Sequence, residues 1–136
     1  MSLTRREQEL LQLLRTYIDH LRRIQEIDPA GIEPFGEVDA SAQRWLQLAI
    51  QCCLDLGDSL VAKLGKPEPS RYRDIFPELE RARIIDSELT RSMVQLTGFR
   101  KALAHAYSTL SPSDTWQRIR QGLPALLTFA EKVAVQ

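Results

Sequence analysis

Apolar residues recur at three- and four-residue spacings along almost the whole chain, the mark of amphipathic helices. Leu10, Leu14, Tyr17, Leu21 and Ile24 form the first stripe, and Leu11 and Ile18 widen it. Asp28-Pro29 and Gly31 end it, because proline has no amide donor and pushes the residue before it out of helical geometry. A second helix is expected from Asp39 or Ser41, either of which can cap. It carries apolar residues on two faces, Trp45, Leu46, Ala49, Cys53, Leu56 and Leu60 on one and Ile50, Leu54 and Val61 on the other. A helix apolar on two faces should be central to the fold. Gly65 fits the position just past its end, and Pro67 and Pro69 stiffen the connection to the next element.

Tyr72, Ile75, Phe76 and Leu79 keep helical spacing over one or two turns, expected to lie across the bundle end with Pro77 in or just after the last turn. Asp86 can cap the next helix, where Glu88 in the first turn suits the positive end of the helix dipole. Leu89, Met93, Leu96, Phe99, Leu103 and Leu110 read as the core face of that helix, continuous to Leu110. Ser111-Pro112 marks a restart, a capping serine with proline in the first helical position. The last helix should bury Trp116, Ile119, Leu123, Leu126 and Val133, and Gly122 and Pro124 should bend it. No strand pattern, internal repeat or low-complexity tract interrupts this series. The expectation is an all-α, antiparallel bundle of four main helices plus one short helix, forming one domain over residues 1–136.

Composition narrows the function classes. The 136 residues hold 18 basic and 18 acidic side chains, a formal net charge of zero. Extensive binding to duplex nucleic acid through phosphates usually requires a basic balance. Between positions 71 and 101, however, seven basic residues face five acidic ones, which permits an RNA ligand. The opening residues lack the apolar run of a signal peptide, and no apolar stretch approaches the ~20 residues that cross a bilayer. A cytoplasmic protein without a membrane partner is expected. Cys52 and Cys53 are adjacent, so a bridge between them would distort the helix, and two cysteines do not complete a usual zinc site. They read as small, half-buried apolar residues. His20 lies on the polar side of the first helix and reads as a solvated residue without a partner.

The segment with candidate chemistry is Gly98-Phe99-Arg100-Lys101-Ala102-Leu103-Ala104-His105-Ala106-Tyr107. Histidine exchanges protons near neutral pH, and the planar, permanently charged guanidinium of arginine matches phosphate oxygens. Together they suit RNA cleavage without a metal or other cofactor, in which a base deprotonates the ribose 2′-OH and a cation stabilises the charge that develops at phosphorus. At about 100° per residue, His105 falls roughly opposite the core cluster, while Arg100 and Tyr107 project along nearly the same line. Arg100 and His105 come out about 140° apart, so an ideal isolated helix does not bring them together. Three resolutions stand open: a distortion near Gly98, side chains that reach around the helix, or a second copy of the chain.

The segment from Ala42 to Tyr107 resembles the HEPN superfamily, and within it the HepT-like toxins of HepT/MntA toxin–antitoxin pairs. The motif is R-x4-6-H with a following x-Y, met here by Arg100, His105 and Tyr107. Supporting similarity runs through residues 44–51, then Pro69, Tyr72, Phe76 and Leu79, then Ile84-Ile85 and Gly98-Phe99-Arg100. The resemblance implies a metal-independent ribonuclease acting as a homodimer, with Arg100 on the scissile phosphate and His105 as general acid or base. It also implies a cognate MntA-like nucleotidyltransferase antitoxin that transfers AMP to Tyr107. Where the family commonly has asparagine after the motif arginine, this chain has Lys101, which can add an RNA contact or mark weakened activity. The alternative reading is a non-catalytic helical partner of a small nucleotidyltransferase.

Overall fold

A reciprocal cap starts the first helix. The Thr4 hydroxyl accepts from the Glu7 backbone N–H at 3.1 Å, and the Glu7 carboxylate accepts from the Thr4 N–H at 2.8 Å. In this computed structural model, which describes residues 2–136, α1 spans Arg5–Gln25. After a 3-10 turn at Pro29–Gly31 come α2 (Glu37–Lys63), α3 (Ile75–Arg81), α4 (Ser87–Gly98), α5 (Arg100–His105) and α6 (Pro112–Ala134). The architecture is the expected all-α bundle, with no strand among the described residues. A second short helix, α5, is present because the third main helix, α4, does not run through to Leu110.

Helix α2 is central, as its two apolar faces require: it packs against α1, α3, α5 and α6. Leu46, Ala49, Ile50, Leu56, Leu60 and Val61 are all fully enclosed. Its start differs from expectation. Gly36 is the N-cap, and Asp39 is instead buried, accepting from the Phe35 N–H at 2.9 Å and so tying the preceding loop to the helix. Its end is as expected, with Gly65 at φ 73°.

Close backbone approach seats α3. A Cβ built on Gly57 would lie 2.5 Å from Ile75 Cγ2, so only glycine lets α3 sit this deep against α2. Pro77 falls in the first turn of α3 rather than at its end, where a missing amide donor costs nothing. Phe76 of α3 meets Phe129 of α6 edge-on, with ring centroids 5.8 Å apart. Helix α6 begins with the expected Ser111 cap and Pro112, and buries Trp116, Ile119 and Leu126 completely. Trp116 Nε1 donates to the Ile24 carbonyl at 2.9 Å, and Arg120 donates to the Gln25 carbonyl at 3.2 Å. The Arg120 bond satisfies a carbonyl that the end of α1 leaves free. The Trp116 bond adds a second donor to the Ile24 carbonyl, which already accepts from the Ile27 N–H.

His20 is not the partnerless surface residue that its sequence position suggests. Its ring stacks on Trp45 at 4.3 Å, and its Nδ1 lies 2.9 Å from an Arg23 guanidinium nitrogen. Trp45 belongs to α2, so only the packing of α1 on α2 brings the two rings together.

One buried ionic cluster locks α1 to α2 at the N-terminal end of α1. Glu7 is 0% exposed and receives hydrogen bonds from Ser59 and Lys63 of α2 as well as from Thr4. Burial by itself raises the Glu7 pKa, but the Lys63, Ser59 and Thr4 hydrogen bonds and the Lys63 charge outweigh it and hold it below its ordinary value. A carboxylate depressed in the folded state contributes stability that is full above the unfolded pKa and is lost as pH falls through the folded one. Glu7→Gln is therefore expected to destabilise the protein by about 1–3 kcal/mol at neutral pH. Denaturant midpoints should show this gap narrowing as pH drops below about 4. A gap independent of pH contradicts an ionic role for Glu7.

Candidate functional site

The helix expected to run to Leu110 breaks at Phe99. There the backbone N–H bonds to the Leu96 carbonyl, three residues back at 3.1 Å, instead of continuing the four-residue ladder. Gly98 weakens the helix at this point, and nothing lies within 4 Å of a Cβ placed on it. Phe99 is meanwhile held in the core, with the Arg118 guanidinium of α6 5.1 Å from its ring centroid. A weak residue beside an anchored one gives the kink. The distortion near Gly98 is thus present, but it precedes the motif: Arg100 and His105 share α5 and keep their helical separation, and only Tyr107 leaves that helix.

Beyond the kink, α5 places Arg100 against α2 and the loop before α3. Arg100 Nε donates to Gln51 Oε1 at 3.4 Å, and the guanidinium carbon lies 4.7 Å from the Tyr72 ring centroid. The cation–π contact and the hydrogen bond fix the plane of a side chain that is otherwise free to turn. Gln51 in turn donates to Asp55 at 2.9 Å, which orients its carbonyl toward Arg100. Arg100 is half-buried and faces a groove of about 870 Å³ whose walls include Arg71, Tyr72, Arg73 and Lys101.

His105 is the last residue of α5 and is exposed. Among the described residues its ring has no hydrogen-bond or ion-pair partner. The helix ends there because Ala106 leaves helical geometry (φ −111°, ψ 20°), and the Thr109 hydroxyl then bonds the Ala106 carbonyl at 2.8 Å. Leu110, expected on the core face of a continuous helix, is extended and only half-buried, directly before the Ser111 cap of α6. Tyr107 opens a separate 3-10 turn and is 59% exposed. The shared line of Arg100 and Tyr107 along one helix therefore does not exist. Arg100 is clamped, while His105 and Tyr107 stand free.

Sequence reasoning missed Gln51 and Tyr72 as partners of Arg100. A signal for Gln51 was present: a half-buried amide on the helix with two apolar faces, followed at one-turn spacing by Asp55. Tyr72 reads from sequence as a packing residue but is 50% exposed, with its ring turned to the arginine. Lys101 is exposed on the same groove. Among the described residues no group of three or more His, Cys, Asp or Glu is placed to hold a metal, and no helix is long and apolar enough to cross a membrane.

The cysteines offer no nucleophile. Both are free and buried, more fully than the half-burial expected. Burial and then the Asp55 charge push the Cys52 thiol up to about 11, and burial carries Cys53 well above its ordinary value. The folded protein at pH ~8 should react with a thiol-specific disulfide reagent only as fast as it unfolds, with both thiols released in denaturant. Rapid labelling of the native protein contradicts this assignment.

Comparison with known proteins adds three findings. A family model described as ribonuclease HepT-like matches residues 14–133. The tRNA nuclease HepT of Aphanizomenon flos-aquae (strain 2012/KM1/D3) is 28% identical over 123 residues, which cover 90% of this chain and 84% of that protein. Among solved structures, the fold matches the tri-AMPylated Shewanella oneidensis HEPN toxin in complex with MNT antitoxin at a TM-score of 0.86, with 16% identity over 98% of this chain and 100% of that one. It matches the cytosolic protein YutE of Bacillus subtilis at a TM-score of 0.77, with 19% identity over 99% and 92% of the two chains. At these identities the structural likeness is one of fold.

Proposed function

The chain belongs to the family of HepT-like ribonucleases, and on that premise we propose that it is the toxin of a type VII HepT/MntA toxin–antitoxin pair, cutting RNA without a metal through Arg100 and His105. The observation that carries this reading is the unequal treatment of the two motif residues. Arg100 is held rigid by Tyr72 and Gln51 at the edge of a cationic groove, whereas His105 stands exposed at a helix end without an internal partner. A clamped guanidinium suits binding of the scissile phosphate, because its fork is fixed before the substrate arrives. A free imidazole suits proton transfer.

The chemistry needs two proton-transfer groups. One takes the proton of the ribose 2′-OH as that oxygen attacks phosphorus. The other gives a proton to the departing 5′ oxygen as its bond to phosphorus breaks. The products are a 2′,3′-cyclic phosphate and a 5′-hydroxyl end, and the Arg100 charge stabilises the phosphorane between them. One chain offers one His105, and His20, the other histidine, is occupied against Trp45 and Arg23. A homodimer that brings two motif segments together supplies both the acid and the base. The substrate in the name of the Aphanizomenon relative makes tRNA the first RNA to test, ahead of mRNA.

Tyr107 is the proposed point of control. Its ring is exposed in a turn two residues beyond His105, within reach of a second enzyme. A cognate nucleotidyltransferase antitoxin would let the Tyr107 phenol oxygen attack the α-phosphorus of ATP, breaking the bond to the β-phosphate, releasing pyrophosphate and leaving AMP on the tyrosine. The added phosphate would put negative charge two residues from His105, where it repels an incoming substrate phosphate. The solved HEPN toxin that shares this fold is itself tri-AMPylated and bound to an MNT antitoxin.

Cleavage of labelled tRNA by purified, antitoxin-free protein in excess chelator tests the reading. The parent chain should cut, and His105→Ala should cut slower by a factor of about 100 or more. Tyr107→Phe should cut like the parent yet resist neutralisation by the nucleotidyltransferase and ATP. If His105→Ala cuts as fast as the parent, the catalytic assignment is wrong.

A further inference from the structure

The groove beside Arg100 holds more positive charge than a site for one phosphate needs. Arg71, Arg73 and Lys101 all line it with Arg100, and Glu68 is the one acidic residue in its lining. Arg71, Arg73 and Lys101 are exposed, and among the described residues none of the three forms an ion pair. This local excess contrasts with the chain as a whole, whose formal net charge is zero. Like charges gathered in one cleft repel each other, and a bound polyanion relieves that repulsion.

Local structure explains how the charges come to face one groove. Arg71 is extended (φ −132°, ψ 142°), and the 3-10 turn Tyr72–Asp74 then starts at once. Tyr72 packs on Arg100, so the segment bearing Arg71 and Arg73 is fastened to the motif helix by the same contact that fixes the motif arginine. Lys101 comes directly after Arg100 on α5 and lines the groove with it. The groove is far larger than a single phosphate, and it is continuous with the position Arg100 would give the scissile one.

We propose that this groove is the subsite for the RNA strand flanking the scissile bond, with Arg71, Arg73 and Lys101 contacting successive backbone phosphates. The inference rests on the ribonuclease reading above and extends it to residues outside the motif. The contacts are to phosphates and carry no base identity, so they set affinity and register on the strand rather than sequence preference. Of the two readings that the sequence leaves open for Lys101, an added RNA contact is the one this groove supports.

The test uses the full chain carrying His105→Ala, so that RNA is bound but not cut, and fluorescence anisotropy with labelled tRNA over a range of salt. Arg71→Ala, Arg73→Ala and Lys101→Ala, each added to that background, should weaken binding about three- to tenfold. Each should also flatten the plot of log affinity against log salt by about 0.7–0.9, the value of one phosphate contact. Arg15→Ala, on the exposed face of α1, controls for loss of charge alone and should change neither quantity. With His105 restored, the groove variants should raise the RNA concentration for half-maximal cleavage and leave the maximal rate near the parent's. Unchanged affinity and salt slope in the groove variants overturn the proposal, while parental cleavage leaves the ribonuclease reading standing. A loss equal to that of Arg15→Ala also overturns it, by reducing the effect to net charge. Groove variants that turn dimers into monomers by size-exclusion overturn it as well, because the groove is then an interface between copies. A parent chain that neither binds nor cuts RNA sinks the ribonuclease reading, and this subsite with it.

Discussion

The kink at Phe99 is the constraint on which the placement of Arg100 depends. A continuous helix from Ser87 to Leu110 would tie Arg100 and Tyr107 to the one axis set by the core face of α4. Instead the ladder slips to a three-residue hydrogen bond at Phe99, and a new short helix begins at Arg100. Two opposed demands produce the slip: Gly98 gives the helix little reason to persist, and Phe99 is held in the core beneath Arg118. The short helix can then pack on α2 by its own contacts, which brings Arg100 between Gln51 and Tyr72.

The rest of the bundle makes that placement rigid. Tyr72 precedes α3, and α3 is seated by the close approach at Gly57 and by Phe76 against Phe129. Gln51 belongs to α2, whose neighbours on several sides fix its rotation. The Glu7 cluster and the bonds from Trp116 and Arg120 hold α1 in turn against α2 and α6. Arg100 is therefore clamped by two elements that the core itself positions. His105, at the far end of a six-residue helix, inherits none of this support. Rigidity at Arg100 and freedom at His105 come from one packing scheme.

The helical stripes, the Asp86 and Ser111 caps and the centrality of α2 were legible because each depends on residues within a turn or two of one another. The exposure of His105 was legible too, from its place opposite Leu103 and Phe99. The kink was only half legible. Gly98 announced a weak point, but whether the helix broke there depended on the contact of Phe99 with Arg118 of α6, which is distant in sequence. The true partners of His20 were hidden for the same reason, since Trp45 is distant in sequence and adjacent only across the α1–α2 interface. Asp39 has the side chain of a cap, yet it sits inside the first turn and serves as an acceptor for the loop before the helix. Pairing between helices is the part that sequence could not supply, and the clamp on Arg100 is made entirely of such pairs.

One chain offers one free histidine and one clamped arginine, and the proposed cleavage would draw His105 from each of two chains. The most direct measurement mixes parent and His105→Ala chains, lets them exchange into mixed dimers, and follows RNA cleavage at constant total protein. A site shared between chains predicts activity that falls as the square of the parent fraction, since every mixed dimer lacks one of its two histidines. Activity that falls in simple proportion to the parent fraction would mean that each chain cuts alone, and would contradict the account.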